Sequence, residues 1–316
     1  MQRREFITLL GGAVTVWPLT SRAQPARPAD WVAPPYDPPA GSRWIVESKD
    51  VTEVDSNGQH IQNSLATTAE LIFEQKTVEG FRVTYIMHNA VYEGDARTAS
   101  LVSPVSKALE NLAIHATIAP NGMPLRVENL DEVQIAARTA IDGMTTPLAG
   151  KPEAAILRRM ATEMLIADEN RAPRVYLGSL ATLALGQNTG LRPGEARSSV
   201  EEVANPLNGV PIKSSTTLRI DNADPATGKV RLIRTRAFDA DGVKAFLRKL
   251  VPQLAGDQNF DNVMRQATMV LDSRTEIDVE GGMTRVVRQE DTVTGTMFGH
   301  SVVRHSHKVM TVTRES

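Results

Sequence analysis

His305 and His307 stand two residues apart in a Val- and Thr-rich run that reads as a strand, so both imidazoles point to one side at a spacing able to hold a divalent metal. Such a site needs more ligands. With Gly295-Thr296 as the preceding hairpin turn, His305 faces Val286, His307 faces Thr284, and only His300 meets a carboxylate, Asp291. His300, His305 and His307 are therefore weak candidates, and no metal centre is expected. Asp257-Gln258-Asn259-Phe260-Asp261 has the alternating oxygen ligands that open a calcium loop, but Asn262 replaces the turn glycine and Thr268 replaces the closing glutamate. Gly178-Ser179 lacks the second glycine of a nucleophile elbow and lies in an apolar helical run. His88 reads as a core or rim residue, Glu53 and Asp55 as members of a charged solvent face, and Asp221-Asn222-Ala223-Asp224 as hairpin turn residues. There is no P-loop, dinucleotide fingerprint or zinc-protease helix. Cysteine is absent, which excludes disulfides, thiolate iron–sulfur ligation, covalent c-type haem and a cysteine nucleophile. No catalytic residue can be assigned, and no cofactor is expected.

The first 23 residues differ from the rest of the chain. Arg3 and Arg4 precede a short apolar run from Phe6 to Pro18, and Ser21-Arg22-Ala23 places small residues three and one before a cleavage point. The run is too short to span a bilayer comfortably, so an export signal cut after Ala23 is expected rather than a permanent membrane span. Arg3-Arg4-Glu5-Phe6-Ile7 resembles the core of bacterial twin-arginine signals, with Gln2 and Thr8 departing from the usual flanks. The resemblance implies the twin-arginine export machinery as a partner, Arg3, Arg4 and Phe6 as its recognition residues, and a periplasmic destination. Without Arg3, Arg4, Arg22 and Glu5, the 35 basic and 37 acidic side chains become 32 and 36, a net charge near −4. A mildly acidic chain with no basic run argues against nucleic acid as a partner.

Elements that could position a site are legible downstream. Six prolines between Gln24 and Ala40 rule out helix or ladder, so residues 24–40 read as an extended linker, with Trp31 and Tyr36 in a loosely packed tail. From Arg43 the pattern is strand. Asn57-Gly58 makes a hairpin, and a second turn at Glu79-Gly80 places Val78 opposite Phe81, Phe73 opposite Ile86 and Leu71 opposite His88. Helical spacing covers Ala99 to Leu112. A hairpin at Asn121-Gly122 follows, then a helix capped by Asn129, striped by Val133, Ala136, Ala137, Ala140 and Ile141 and ended at Gly143. Pro152 opens another helix and Pro173 a third, Val175 to Leu185, apolar nearly all round and so expected to be buried.

Gln187 to Arg197 reads as a Gly-rich loop, with strands at Val210 to Ile220 and Lys229 to Ala237. Asp241 caps an amphipathic helix reaching Leu254. The chain closes on a three-stranded meander from Ala267 to Thr313. There Met269, Leu271, Ile277 and Val279 alternate with charged residues, and Gly281-Gly282 forms a two-residue turn that places Asp278 opposite Arg285 and Ile277 opposite Val286.

The expected fold class is α+β: long antiparallel β-meanders, as a curved sheet or half-barrel, packed against several helices. The expected organisation is a signal (1–23), a linker (24–40) and one domain (41–316), whose β-rich halves, 41–145 and 198–316, are bridged by a helical segment, 146–197. This order of elements resembles uncharacterised families of exported bacterial proteins that wrap long antiparallel strands around a few helices. A non-enzymatic ligand-binding or structural role in the envelope is the expected function, with a periplasmic hydrolase as the second reading. The space between the sheet and the apolar helix Val175 to Leu185, flanked by adaptable Met160 and Met164, is the expected place for an apolar small molecule or lipid.

Overall fold

The computed structural model describes residues 33–56, 58–204, 211–242, 268–297 and 300–315. The export signal, most of the linker including Trp31, the amphipathic helix to Leu254 and the candidate calcium loop lie outside the described residues. In chain order the elements are β1 (Arg43–Ser56), β2 (Gln59–Thr77), β3 (Gly80–Glu93), α1 (Ala96–Leu109), β4 (Ala113–Ile118), β5 (Pro124–Val127), α2 (Leu130–Thr145), α3 (Pro152–Leu165), α4 (Ala172–Tyr176), α5 (Gly178–Ala184), β6 (Ala196–Ala204), β7 (Pro211–Asp224), β8 (Lys229–Phe238), β9 (Thr268–Glu280), β10 (Met283–Met297) and β11 (His300–Arg314). All eleven strands join one antiparallel sheet in the order β5-β4-β3-β2-β1-β11-β10-β9-β8-β7-β6. Strand takes 53% of the described residues and helix 24%, so the balanced α+β expectation is overturned: the molecule is predominantly one sheet with a few short helices. The physical reason is the pairing of β1 with β11, Trp44 opposite Arg314 through Ser56 opposite Val302, which fuses the two meanders at the sheet centre. Local periodicity cannot reveal that pairing.

Alternation sorts the strands into two faces. On one, Trp44 and Val46 of β1 align with Leu71 and Ala69 of β2, Val312 and Met310 of β11, Val287 of β10, Ile277 of β9 and Leu232 of β8. All of these are buried and belong to one cluster. Removing side chains such as Leu71, Phe73 and Ile277 from water stabilises the fold by roughly 1.5–3 kcal/mol each. Tyr36 belongs to this core as well: it is 5% exposed and meets Phe73 and Phe81 edge to face at 6.1 and 5.4 Å. The tail is therefore docked at this point, because an aromatic ring gains more from that contact than the proline-stiffened chain loses in ordering. On the opposite face Asp278 pairs with Arg231 and Arg288 at 2.7 and 2.8 Å. Helices α2 and α3 share a satellite cluster of Ile141, Met144 and Ala161, against which Val105 of α1 packs.

Several local expectations shift. The β2–β3 loop is Val78-Glu79, with Thr77 opposite Gly80, Phe73 opposite Val83 and Leu71 opposite Tyr85. Gly80 is set by the close approach of β4 rather than by the turn, since a Cβ there would lie 2.1 Å from the Ile118 carbonyl oxygen. In the closing meander a bulge between Thr284 and Val286 moves the register by one, so Ile277 faces Val287 and Asp278 faces Val286. The extra residue, Arg285, lies over the Trp44 ring at 4.7 Å instead of pairing with Asp278. Strand β10 runs through Gly295, which pairs with Val302, and the pairing continues to Met297 opposite His300. Helix α2 continues past Gly143, where the missing side chain admits Pro104 of α1. The apolar run from Val175 to Leu185 is split at Leu177 into α4 and α5, yet it is buried through Leu177, Leu180, Leu183 and Ala184. Asp239, not Asp241, caps the turn after β8, accepting from the Gly242 amide at 2.7 Å.

Candidate functional site

A cavity of about 450 Å³ opens against the apolar part of the sheet face. Its floor is Val230 and Leu232 of β8 with Val279 of β9, its wall is the chain after α5 from Gly186 to Gly190, and its roof is Ala33, Pro34 and Pro35. Each side is held by identifiable contacts. Thr284 Oγ1 donates to the Leu183 carbonyl at 2.7 Å and ties α5 to β10. Gly186 presses on β9 so closely that a Cβ would lie 2.5 Å from Ile277 Cγ2. Asn188, in a left-handed conformation at φ 48°, accepts from the Tyr36 amide and donates to the Pro120 carbonyl, both at 2.8 Å, which fixes the roof to the wall. At the far side Gly282, at φ +79°, meets Pro35, whose carbonyl oxygen would lie 2.0 Å from an added Cβ. The lining residues include no carboxylate, histidine, lysine or arginine. Such a cavity can hold an apolar group but offers no general acid or base.

The same sheet face turns polar beyond the cavity. Asp291 of β10 is 9% exposed and accepts from Ser273 Oγ at 3.0 Å and from Gln289 Nε2 at 2.9 and 3.0 Å. Burial pushes its carboxyl above the ordinary range, against the pull of those two donors. Arg304 of β11 donates to Ser306 Oγ and Thr52 Oγ1, each at 3.2 Å, and burial lowers its pKa against the opposing fields of Asp50 and Asp291. Further across, Arg234 and Arg236 of β8 both donate to Glu201 Oε2 of β6, at 3.3 and 2.6 Å. Burial, reinforced by repulsion from Arg236, brings Arg234 down to about 10.

The residues singled out from the sequence do not converge. His305 faces Thr292, to whose hydroxyl its Nδ1 hydrogen-bonds at 2.7 Å, His307 faces Glu290, and His300 faces Met297 rather than Asp291. His305 and His307 are exposed, and no group of three potential metal ligands exists among the described residues. His88 is a rim residue bonded to Asn111 at 3.0 Å and Glu70 at 3.4 Å, and it does not oppose Leu71. Asp55 pairs with His60, and Glu53 accepts from Gln62, so neither carboxylate faces the other. Ser179 hydrogen-bonds the buried Tyr85 phenol. Asp224 closes its turn by accepting from the Ala226 amide and Thr227 hydroxyl. Sequence reasoning missed Arg234, Arg236, Glu201 and Arg304, and it placed Asp291 only opposite His300. A signal existed: Arg234 and Arg236 continue the inward alternation of Val230 and Leu232, and Thr275 and Ser273 continue that of Val279 and Ile277.

No family model and no curated protein matches the sequence. Among solved structures, lipovitellin is similar over 88% of this chain and 26% of its own, at 9% identity and a TM-score of 0.47. The chain thus spans about a quarter of the lipovitellin chain. DynF from the dynemicin biosynthesis pathway of Micromonospora chersina is covered over 93% of its length, with 95% of this chain, at 8% identity and a TM-score of 0.20. The COG4313 outer membrane channel from Pseudomonas putida F1 is covered in full, with 92% of this chain, at 9% identity and a TM-score of 0.18. Likenesses at this level leave the functional reading to the chain's own geometry.

Proposed function

We propose that the protein is exported to the periplasm and there binds a small apolar molecule of lipid type without chemical turnover. The cavity under Pro34 and Pro35 supports the reading. Its volume lies inside the roughly 300–1,000 Å³ range of small-molecule sites, its floor is aliphatic, and its wall is the chain that follows α5, so it lies beyond the Val175 to Leu185 run rather than under it. Periplasmic delivery is supported by the Arg3-Arg4-Glu5-Phe6-Ile7 segment and the cut expected after Ala23. No helix among the described residues is long and apolar enough to cross a membrane. The hydrolase reading has one observation in its favour, the raised carboxyl of Asp291, but its partners Ser273 and Gln289 only donate hydrogen bonds to it.

Native mass spectrometry of protein taken from its own host, followed by solvent extraction, should show a lipid-sized adduct. Adding back long-chain lipid should raise the thermal midpoint by mass action. Protein that carries no adduct and whose midpoint is unmoved by lipids would remove the proposal.

A further inference from the structure

The cavity and the arginine pair lie on one continuous stripe of β8. Val230, Leu232, Arg234 and Arg236 alternate onto the same face, opposite Val279, Ile277, Thr275 and Ser273 of β9. Two residues of strand advance about 7 Å, so Arg234 begins where the aliphatic floor at Leu232 ends. Both guanidiniums are largely buried, with side-chain exposures of 11% and 18%, and among the described residues one carboxylate oxygen serves them both. Two cations on one anion leave a positive surplus in a partly desolvated place, where charge is costly unless it is matched. Hydroxyls surround the pair: Thr216 accepts from Arg236 Nε at 3.3 Å, and Ser199 donates to Glu201 Oε1 at 3.0 Å. The lowered pKa of Arg234 has the same origin in burial and like charge.

We infer that Arg234 and Arg236 receive the anionic head group, carboxylate or phosphate, of an amphiphile whose hydrocarbon part occupies the adjoining cavity. The inference rests on the apolar-ligand reading of that cavity and adds the sign and place of the polar end. Glu201 acts as the internal stand-in for the head group, holding the guanidiniums until a ligand anion shares them. An oxyanion gains charge-assisted hydrogen bonds from a fork already oriented on a rigid strand, which a neutral head cannot do.

Titration calorimetry on the full chain with palmitate, methyl palmitate and inorganic phosphate tests the inference. Palmitate should bind at least about tenfold more tightly than its methyl ester, since a hydrogen bond to a charged group contributes at least that much. The preference should shrink with added salt. Arg234→Gln with Arg236→Gln should abolish the preference, and Glu201→Gln, which removes the competing anion, should enlarge it. Bound methyl palmitate reports that either variant is folded. Equal binding of acid and ester by the wild type, or a preference that survives the double substitution, would overturn the head-group assignment while leaving the cavity reading intact. Phosphate binding as tightly as palmitate would show a site for a free oxyanion and overturn the amphiphile. Failure of both palmitate and its ester would remove the cavity reading and this inference together.

Discussion

At the scale of single residues, the polar half of the inner face is where pH should be felt. Asp291 is buried among Ser273, Gln289 and the field of Asp50, and its carboxyl is held above its usual value. The folded state therefore binds this proton more tightly than the unfolded chain does, so between the unfolded value near about 4 and the raised folded value, stability falls as pH rises. Below that window the penalty is absent. Asp291→Asn removes the buried charge, and its advantage over wild type in thermal midpoint should vanish near pH 4 and grow toward neutrality. A variant whose deficit instead grows with pH would show that the ionised carboxylate is stabilised in place. The sequence could nominate Asp291 only as a neighbour of His300. Its real partners are set by the register of β9 on β10, with Ser273 directly opposite, which no local pattern reveals.

At the scale of elements, the β9–β10 turn joins fold and site. Gly281 and Gly282 both have positive φ, 57° and 79°, but a Cβ on Gly281 meets nothing within 4 Å whereas one on Gly282 would collide with Pro34 and Pro35. Gly281→Ala should cost about 1–2 kcal/mol, the ordinary penalty for a left-handed L-residue. Gly282→Ala should cost more and should also weaken palmitate binding, because the roof over Val230 and Val279 must move. Chemical denaturation paired with calorimetry separates these outcomes; equal effects of the two substitutions would detach the roof from the turn. The turn was legible in the sequence because Gly-Gly between alternating strands is a local signal. The bulge at Arg285 was not, since it answers to Trp44 on β1, far away in the chain. The break in the apolar run at Leu177 has the same character, as burial was readable there and continuity was not.

At the scale of the whole molecule, the reading depends on the chain reaching an envelope compartment and on one sheet carrying both zones. If Arg3 and Arg4 direct export, replacing both with lysine should leave unprocessed protein in the cytoplasm, whereas the parent should begin at Gln24, as N-terminal sequencing of fractionated cells would report. Normal export and processing of the Lys-Lys chain would remove the twin-arginine assignment.

By itself the sequence determined the properties that live within a few residues: the cysteine-free composition, the three strands after Ala267, the helix that buries Val133, Ala137, Ala140 and Ile141, and the hairpin at Asn121-Gly122. These follow from period, turn chemistry and composition, all of which are local. The tertiary structure alone decided that β1 closes on β11, that both meanders form a single sheet, and that Tyr36 leaves the linker to enter the core. It also placed Arg234, Arg236 and Glu201 together beside an aliphatic cavity. Pairing between distant strands depends on which apolar faces can be buried together, and that sum is taken over the whole chain rather than any stretch of it.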